Sequence, residues 1–172
     1  MEPGEGPTAG LMALHSFAMG LSTVFFETAA SALFVSRFGA AALPWVYIAA
    51  AVVSTGAGGL FAAGRRRLAF RRLMAAVLVF LLLGVVGLRG GLVLFEGPGL
   101  VFSLLVFYRL LSVLTDLEYW AVAGELYDVR QAKRLFGVIG TGEVVARIAG
   151  AFAVPLLVST IGVANLLWLS AA

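Results

Sequence analysis

Six charged residues stand inside long apolar runs: Glu27 in the first, Arg109, Asp116 and Glu118 in the run that ends at Tyr127, and Glu143 and Arg147 in the one that opens at Phe136. Carboxylates and guanidinium groups in such surroundings bind ions, exchange protons or pair with one another, because an isolated charge at mid-bilayer costs about 2.5–3.5 kcal/mol. Six of them are therefore required to face each other or water. Two readings stay open: ion pairs that orient helices during assembly, or the lining of a substrate or proton pathway. The poor net stability of buried ion pairs favours the second.

The elements that carry these charges are transmembrane helices. The chain is 62% hydrophobic and 12% charged, with a mean hydropathy of +1.04, and its apolar residues come in blocks rather than stripes. A span takes about 20 apolar residues, since the hydrocarbon core is ~30 Å thick and a helix rises ~1.5 Å per residue. Runs such as LMAAVLVFLLLGVVGL do not alternate, which argues against a β-barrel. The expected fold is an all-α polytopic bundle with spans at about 11–38, 43–63, 73–88, 100–127 and 136–160 and an incomplete sixth at 162–172. Residues 1–10, acidic and rich in glycine and proline, read as a disordered cytoplasmic leader without the positive region of a signal peptide. On this reading the chain is part of a longer protein.

Basic residues set the orientation. Arg65, Arg66, Arg67, Arg71, Arg72, Arg130, Lys133 and Arg134 fall in two loops on one side, against Arg37 and Arg89 on the other. The N-terminus and both basic loops are expected in the cytoplasm, and Arg89–Gly99 reads as a turn-rich loop opposite. Counting helical rise from the cytoplasmic ends places Glu27 and Arg109 at about 24 and 27 Å, and Asp116 and Arg147 both at about 17 Å. The expected pairs are Arg109 with Glu27, and Arg147 with Asp116 or with Glu143 at i,i+4. Glu118 falls with Glu143 on the cytoplasmic side, and together the six form a polar seam through spans one, four and five.

Other features read as structure. His15 near the cytoplasmic end of the first span reads as packing ahead of a proton relay, and Tyr119, Trp120 and Tyr127 as an interfacial aromatic belt, with base stacking the alternative for Trp120. Ser54–Gly59, STGAGG, is a small-residue patch suited to close helix approach. GVIGTG, Gly137–Gly142, lacks the strand and terminal Lys-Ser/Thr of a phosphate loop and fits helix packing better. With no cysteine and one histidine, no metal site is expected. No nucleophile–base constellation or cofactor motif suggests an enzyme, and the pI near 9.8 reflects topology rather than binding to nucleic acid.

The segment from Glu118 to Ala151 resembles the ATP/ADP translocase family of nucleotide transporters and related major facilitator superfamily transporters. The resemblance rests on Tyr119, Trp120, Ala132, Lys133, Arg134, Leu135, Phe136, Gly140 and Gly142. It implies the N-terminal half of a twelve-helix carrier of a bacterial inner membrane, completed by a missing C-terminal half and working by alternating access. The solute would be a nucleotide or another small anion. Arg109 and Arg147 would attract it, Glu27, Asp116, Glu118 and Glu143 would balance charge or take protons, and Lys133 and Arg134 would meet phosphate or lipid at the cytoplasmic mouth. The alternative is a transport-inactive anchoring or signalling module joined to a soluble sensor domain.

Overall fold

Where each helix begins and ends follows from local chemistry at its ends. In the computed structural model, which describes residues 5–95 and 97–171, the first helix, α1, runs Glu5–Phe38. Glu5 sits in its first turn, where a carboxylate complements the helix dipole, and its buried side chain bonds Arg134 at 2.8 Å. Residues 5–10 are thus helical and not a disordered leader, while residues 1–4 lie outside the described part. Gly39, with φ of 73° in the left-handed region, ends α1 where a side chain would be strained. A 3₁₀ turn at Ala40–Ala42 and Pro44 then open α2, Leu43–Arg67.

Two expected loops are helix. Arg65, Arg66 and Arg67 form the last turn of α2, where cations suit the negative end of the dipole, and only Leu68 and Ala69 separate it from α3, Phe70–Leu94. Arg89 therefore lies within α3 and not in a loop. After α4, Pro98–Leu126, the residues DVRQAKR turn at once into α5, Val129–Ile161. Asp128 accepts from the backbone N–H groups of Arg130 and Gln131, both at 2.8 Å, while Gln131 accepts from the Asp128 N–H at 3.1 Å. This capping box satisfies N–H groups that a helix start otherwise leaves open. Gly162, φ 82°, a 3₁₀ turn at Val163–Asn165 and a short α6, Leu166–Ala171, complete the described chain.

The result is an all-α bundle in which α1–α5 are each long and apolar enough to cross a membrane, a multi-pass membrane protein. Ion pairs Arg65–Glu125 and Glu5–Arg134 gather the ends of α1, α2, α4 and α5 at one basic pole. At the other pole Arg89 donates to the Asn165 side chain at 2.7 Å and lies over the Trp168 ring. Phe26, Phe34, Leu104 and Leu105 form the buried centre. The outer faces of α3 and α5, with Leu83, Val79, Phe152 and Leu156 exposed, suit lipid contact.

The closest approach of two helices is not where the sequence suggests. Gly56, Gly58 and Gly59 of the STGAGG patch have nothing within 4 Å of an added Cβ, so these glycines make no close helix contact. Backbones meet instead between α1 and α5, the widest interface in the bundle. A Cβ on Gly142 would overlap the Ala13 carbonyl oxygen, and one on Gly20 would lie 2.8 Å from the Glu143 carbonyl oxygen. Backbone atoms cannot rotate away, so Gly142→Ala is expected to destabilise the bundle by about 1–3 kcal/mol. Gly140→Ala, which meets nothing, is expected to be neutral or to stabilise by about 0.5–1 kcal/mol. Thermal unfolding in detergent checks the pair, and equal midpoints would refute the close approach.

Candidate functional site: two polar faces of α4

Successive residues turn by about 100° around a helix, so Asp116 and Glu118 point to nearly opposite sides of α4. The expected single seam is in fact two sites. On one side Arg109, Ser112, Val113 and Asp116, spaced i, i+3, i+4 and i+7, form one stripe. Val113 and Asp116 in it are exposed. On the other side Glu118 is 3% exposed.

The open side centres on Arg109. Its Nη2 donates to the Tyr47 hydroxyl at 3.4 Å, and its guanidinium carbon lies 5.0 and 5.1 Å from the ring centroids of Tyr47 and Tyr108. Such stacking uses the negative face of each ring and the weak hydration of guanidinium. Glu27 faces the Tyr108 hydroxyl. The expected Arg109–Glu27 ion pair is therefore absent among the described residues: the heights match, but a tyrosine stands between them. Arg109 Nε is buried without a protein partner. Beside it lies a recess of about 410 Å³ lined by Tyr47, Ala50, Ala51, Ser54, Arg109 and Ser112.

α5 adds a second cation to this side. Arg147 pairs with Glu143 at 2.8 Å, its Nε donating at 2.9 Å. Of the two expected partners, the one on its own helix holds it, because i,i+4 side chains meet on one helix face whatever the neighbouring helix does. Asp116 lies in the electrostatic field of both Glu143 and Arg147, repelled by the first and attracted by the second but without an ion pair to it.

The same turn of α5 is held from two helices. In a regular helix the Glu143 N–H bonds the Ile139 carbonyl. Here the Ser16 Oγ of α1 accepts from the Glu143 N–H at 2.8 Å, and the Tyr119 hydroxyl of α4 donates to the Ile139 carbonyl at 3.0 Å. The Tyr119 hydroxyl also reaches the Met12 carbonyl of α1 at 3.4 Å. Tyr119 is thus a buried tie and not a belt residue. Tyr127 is buried too, and burial and then the Glu5 carboxylate push its phenol above the ordinary range. Trp120 does stay exposed, packed on Tyr119 and Phe136.

On the closed side, His15 Nε2 lies 3.4 Å from Glu118 Oε2, and its ring meets that of Tyr119 edge-on at 5.6 Å. His15 is not mere packing. Lys133 and Arg134 occupy the first turns of α5 at the basic pole, Lys133 exposed and Arg134 bound to Glu5. Among the described residues no group of His, Asp and Glu is arranged to hold a metal ion.

Sequence reasoning missed Tyr47, Tyr108, Ser16 and the role of His15. Tyr108 carried a signal, since it adjoins Arg109. Tyr47 and Ser16 carried none, because neither is charged and their partners lie on other helices. Compared with protein-family models, characterised proteins and solved structures, the chain matches none.

The geometry ranks the contacts of Arg147. In double-mutant cycles read by unfolding, Glu143→Ala with Arg147→Ala is expected to show coupling of about 0.3–0.5 kcal/mol. Asp116→Ala with Arg147→Ala should couple more weakly but not be purely additive. The reverse order would show that Arg147 belongs to Asp116.

Proposed function

We propose that this chain is the N-terminal half of a facilitator-type secondary transporter that moves a small anionic solute by alternating access. One observation carries the reading: the stripe from Arg109 to Asp116 on α4 lies open beside a recess walled by α2. Arg147 and Glu143 of α5, each about a third or more exposed, add to the same polar side. Turned toward lipid, each of these charges would cost about 2.5–3.5 kcal/mol. Turned toward a water-filled path closed by a second helical half, none of that cost arises, and polar groups at membrane depth are tolerated where they line such a path.

The chemistry of the stripe favours an anion with a flat, delocalised part. Arg109 is held against two tyrosine rings and lines the recess, an arrangement suited to offering planar guanidinium donors to phosphate or carboxylate. Tyr47, which is exposed and lines the recess, offers a ring of the kind on which a base can stack. A nucleotide fits both features, in line with the resemblance of Glu118–Ala151 to nucleotide transporters. Glu27, Asp116 and Glu143 offset the two arginines, and Lys133 and Arg134 stand at the mouth. The eight Lys and Arg gathered at the basic pole would place that pole and the N-terminus in the cytoplasm of a bacterial cell.

The test is solute counterflow in proteoliposomes that contain the carrier with both halves. Labelled nucleotide or organic anion is expected to exchange. Arg109→Lys should slow exchange on the order of tenfold, because lysine keeps the charge but loses the planar donors and the stacking. A folded protein that moves no anion would overturn the carrier reading and leave a membrane anchoring or signalling module.

A further inference from the structure

The closed side of α4 holds a titratable pair that the carrier reading does not use. Glu118 is 3% exposed, and its Oε2 is buried with no hydrogen-bond partner among the described residues. The cation-forming group that reaches it is His15, whose Nε2 lies 3.4 Å from that oxygen, within ion-pair range yet without hydrogen-bond alignment. A buried carboxylate with no bonded donor is costly if ionised beside a neutral ring. That cost disappears when one proton is added, whether it rests on the imidazole to make an ion pair or on Glu118 to make a neutral acid.

We infer that His15 and Glu118 form a proton-binding site that holds one proton between them, separate from the Arg109 side. The side chain of His15 is 35% accessible, against 4% for Glu118, so the imidazole is the port through which the proton arrives from water and leaves to it. His15 lines a cleft of about 610 Å³ between α1, α3, α4 and α6. Within that cleft α3 presents only leucines and Val85, and α6 only Ser170 and Ala171. Among the described residues, neither helix places a charge in the lining of this cleft. From α4 the neighbouring titratable group is Tyr119, edge-on to the imidazole. From α5 it is Glu143, reached through Ser16, with Arg147 beyond it.

This last connection gives the site a consequence. Ser16 follows His15 on α1 and takes the Glu143 N–H, while Tyr119 follows Glu118 on α4 and takes the Ile139 carbonyl. Each member of the pair is thus one residue from a tie to the same turn of α5. A change in the distance between His15 and Glu118, such as loss of the shared proton would cause, is transmitted to the backbone that carries Glu143.

His15 is the sole histidine, so a sample labelled in histidine nitrogen and reconstituted in lipid nanodiscs gives one imidazole by NMR. Glu118→Gln is expected to shift both ring-nitrogen resonances, from those of a ring held against a carboxylate to those of an unpaired neutral ring. In a separate arm, His15→Gln forces the proton onto the acid. Its infrared spectrum should gain a protonated-carboxyl band that moves in His15→Gln/Glu118→Asp and is lost in His15→Gln/Glu118→Gln. Unchanged His15 resonances in folded Glu118→Gln would overturn the site, as would absence of the acid band in His15→Gln. Each arm stands if the other variant fails to fold. Neither needs a solute, so a failure here and a failure of the carrier reading are told apart.

Discussion

Contact between the backbones of α1 and α5 is the constraint on which the rest of the structure depends. Two helices in lipid gain little from burying apolar side chains against each other, because the tails they displace are equally apolar. What holds them is close packing and hydrogen bonding. Gly20 and Gly142 remove the side chains that would keep the backbones apart, and Ser16 then reaches the Glu143 N–H. Pro155, further along α5, lacks the N–H that would close the turn behind it. α5 is gripped at Ile139–Glu143 by hydrogen bonds with two other helices. That turn presents Arg147 to one side and ties back toward His15 on the other.

α4 divides what this contact brings together. Its polar residues do not gather in one seam, because two positions on a helix separated by two residues face apart. The open side collects guanidinium groups, aromatic rings and partly exposed carboxylates, a combination in which solute and water can replace protein partners. The closed side keeps one carboxylate with one imidazole in apolar surroundings, a combination that answers to protons. The difference lies in solvent access as much as in residue type. Glu118 and Glu143 are the same amino acid, and the first is buried beside His15 while the second shares solvent with Arg147.

Much of this was legible in the residues, and the gaps have definite causes. Long apolar blocks gave the five spanning helices, and the charges within them were the residues that built the two sites. Helix ends were read too short at Arg65–Arg67 and at Val129–Phe136, since charge was taken as a sign of loop. Arginines suit a helix C-terminus, and the Asp128–Gln131 capping box starts a helix among charged residues as readily as among apolar ones. Arg147 with Glu143 was read from i,i+4 spacing, where both lie on one helix and their angular relation is known, and that pair forms. Height alone was the guide to partners on different helices. It failed for Arg109 with Glu27, where the angle between two helices was not known and Tyr108 fills the space.

The sequence by itself determined that the chain is a multi-pass helical membrane protein, which charges lie within its long apolar helices, and which residues form the basic pole. These follow from hydropathy and from a constant rise per residue, both properties of the chain taken one helix at a time. Only the tertiary structure decided that the STGAGG glycines make no close approach while Gly20 and Gly142 do. It alone decided that Arg109 stacks on Tyr47 and Tyr108, and that His15 meets Glu118. The reason is the same in each case. Rise along a helix gives height, but the rotation of one helix about its axis relative to its neighbour is set by packing among residues far apart in the chain, and that rotation chooses which side chains meet.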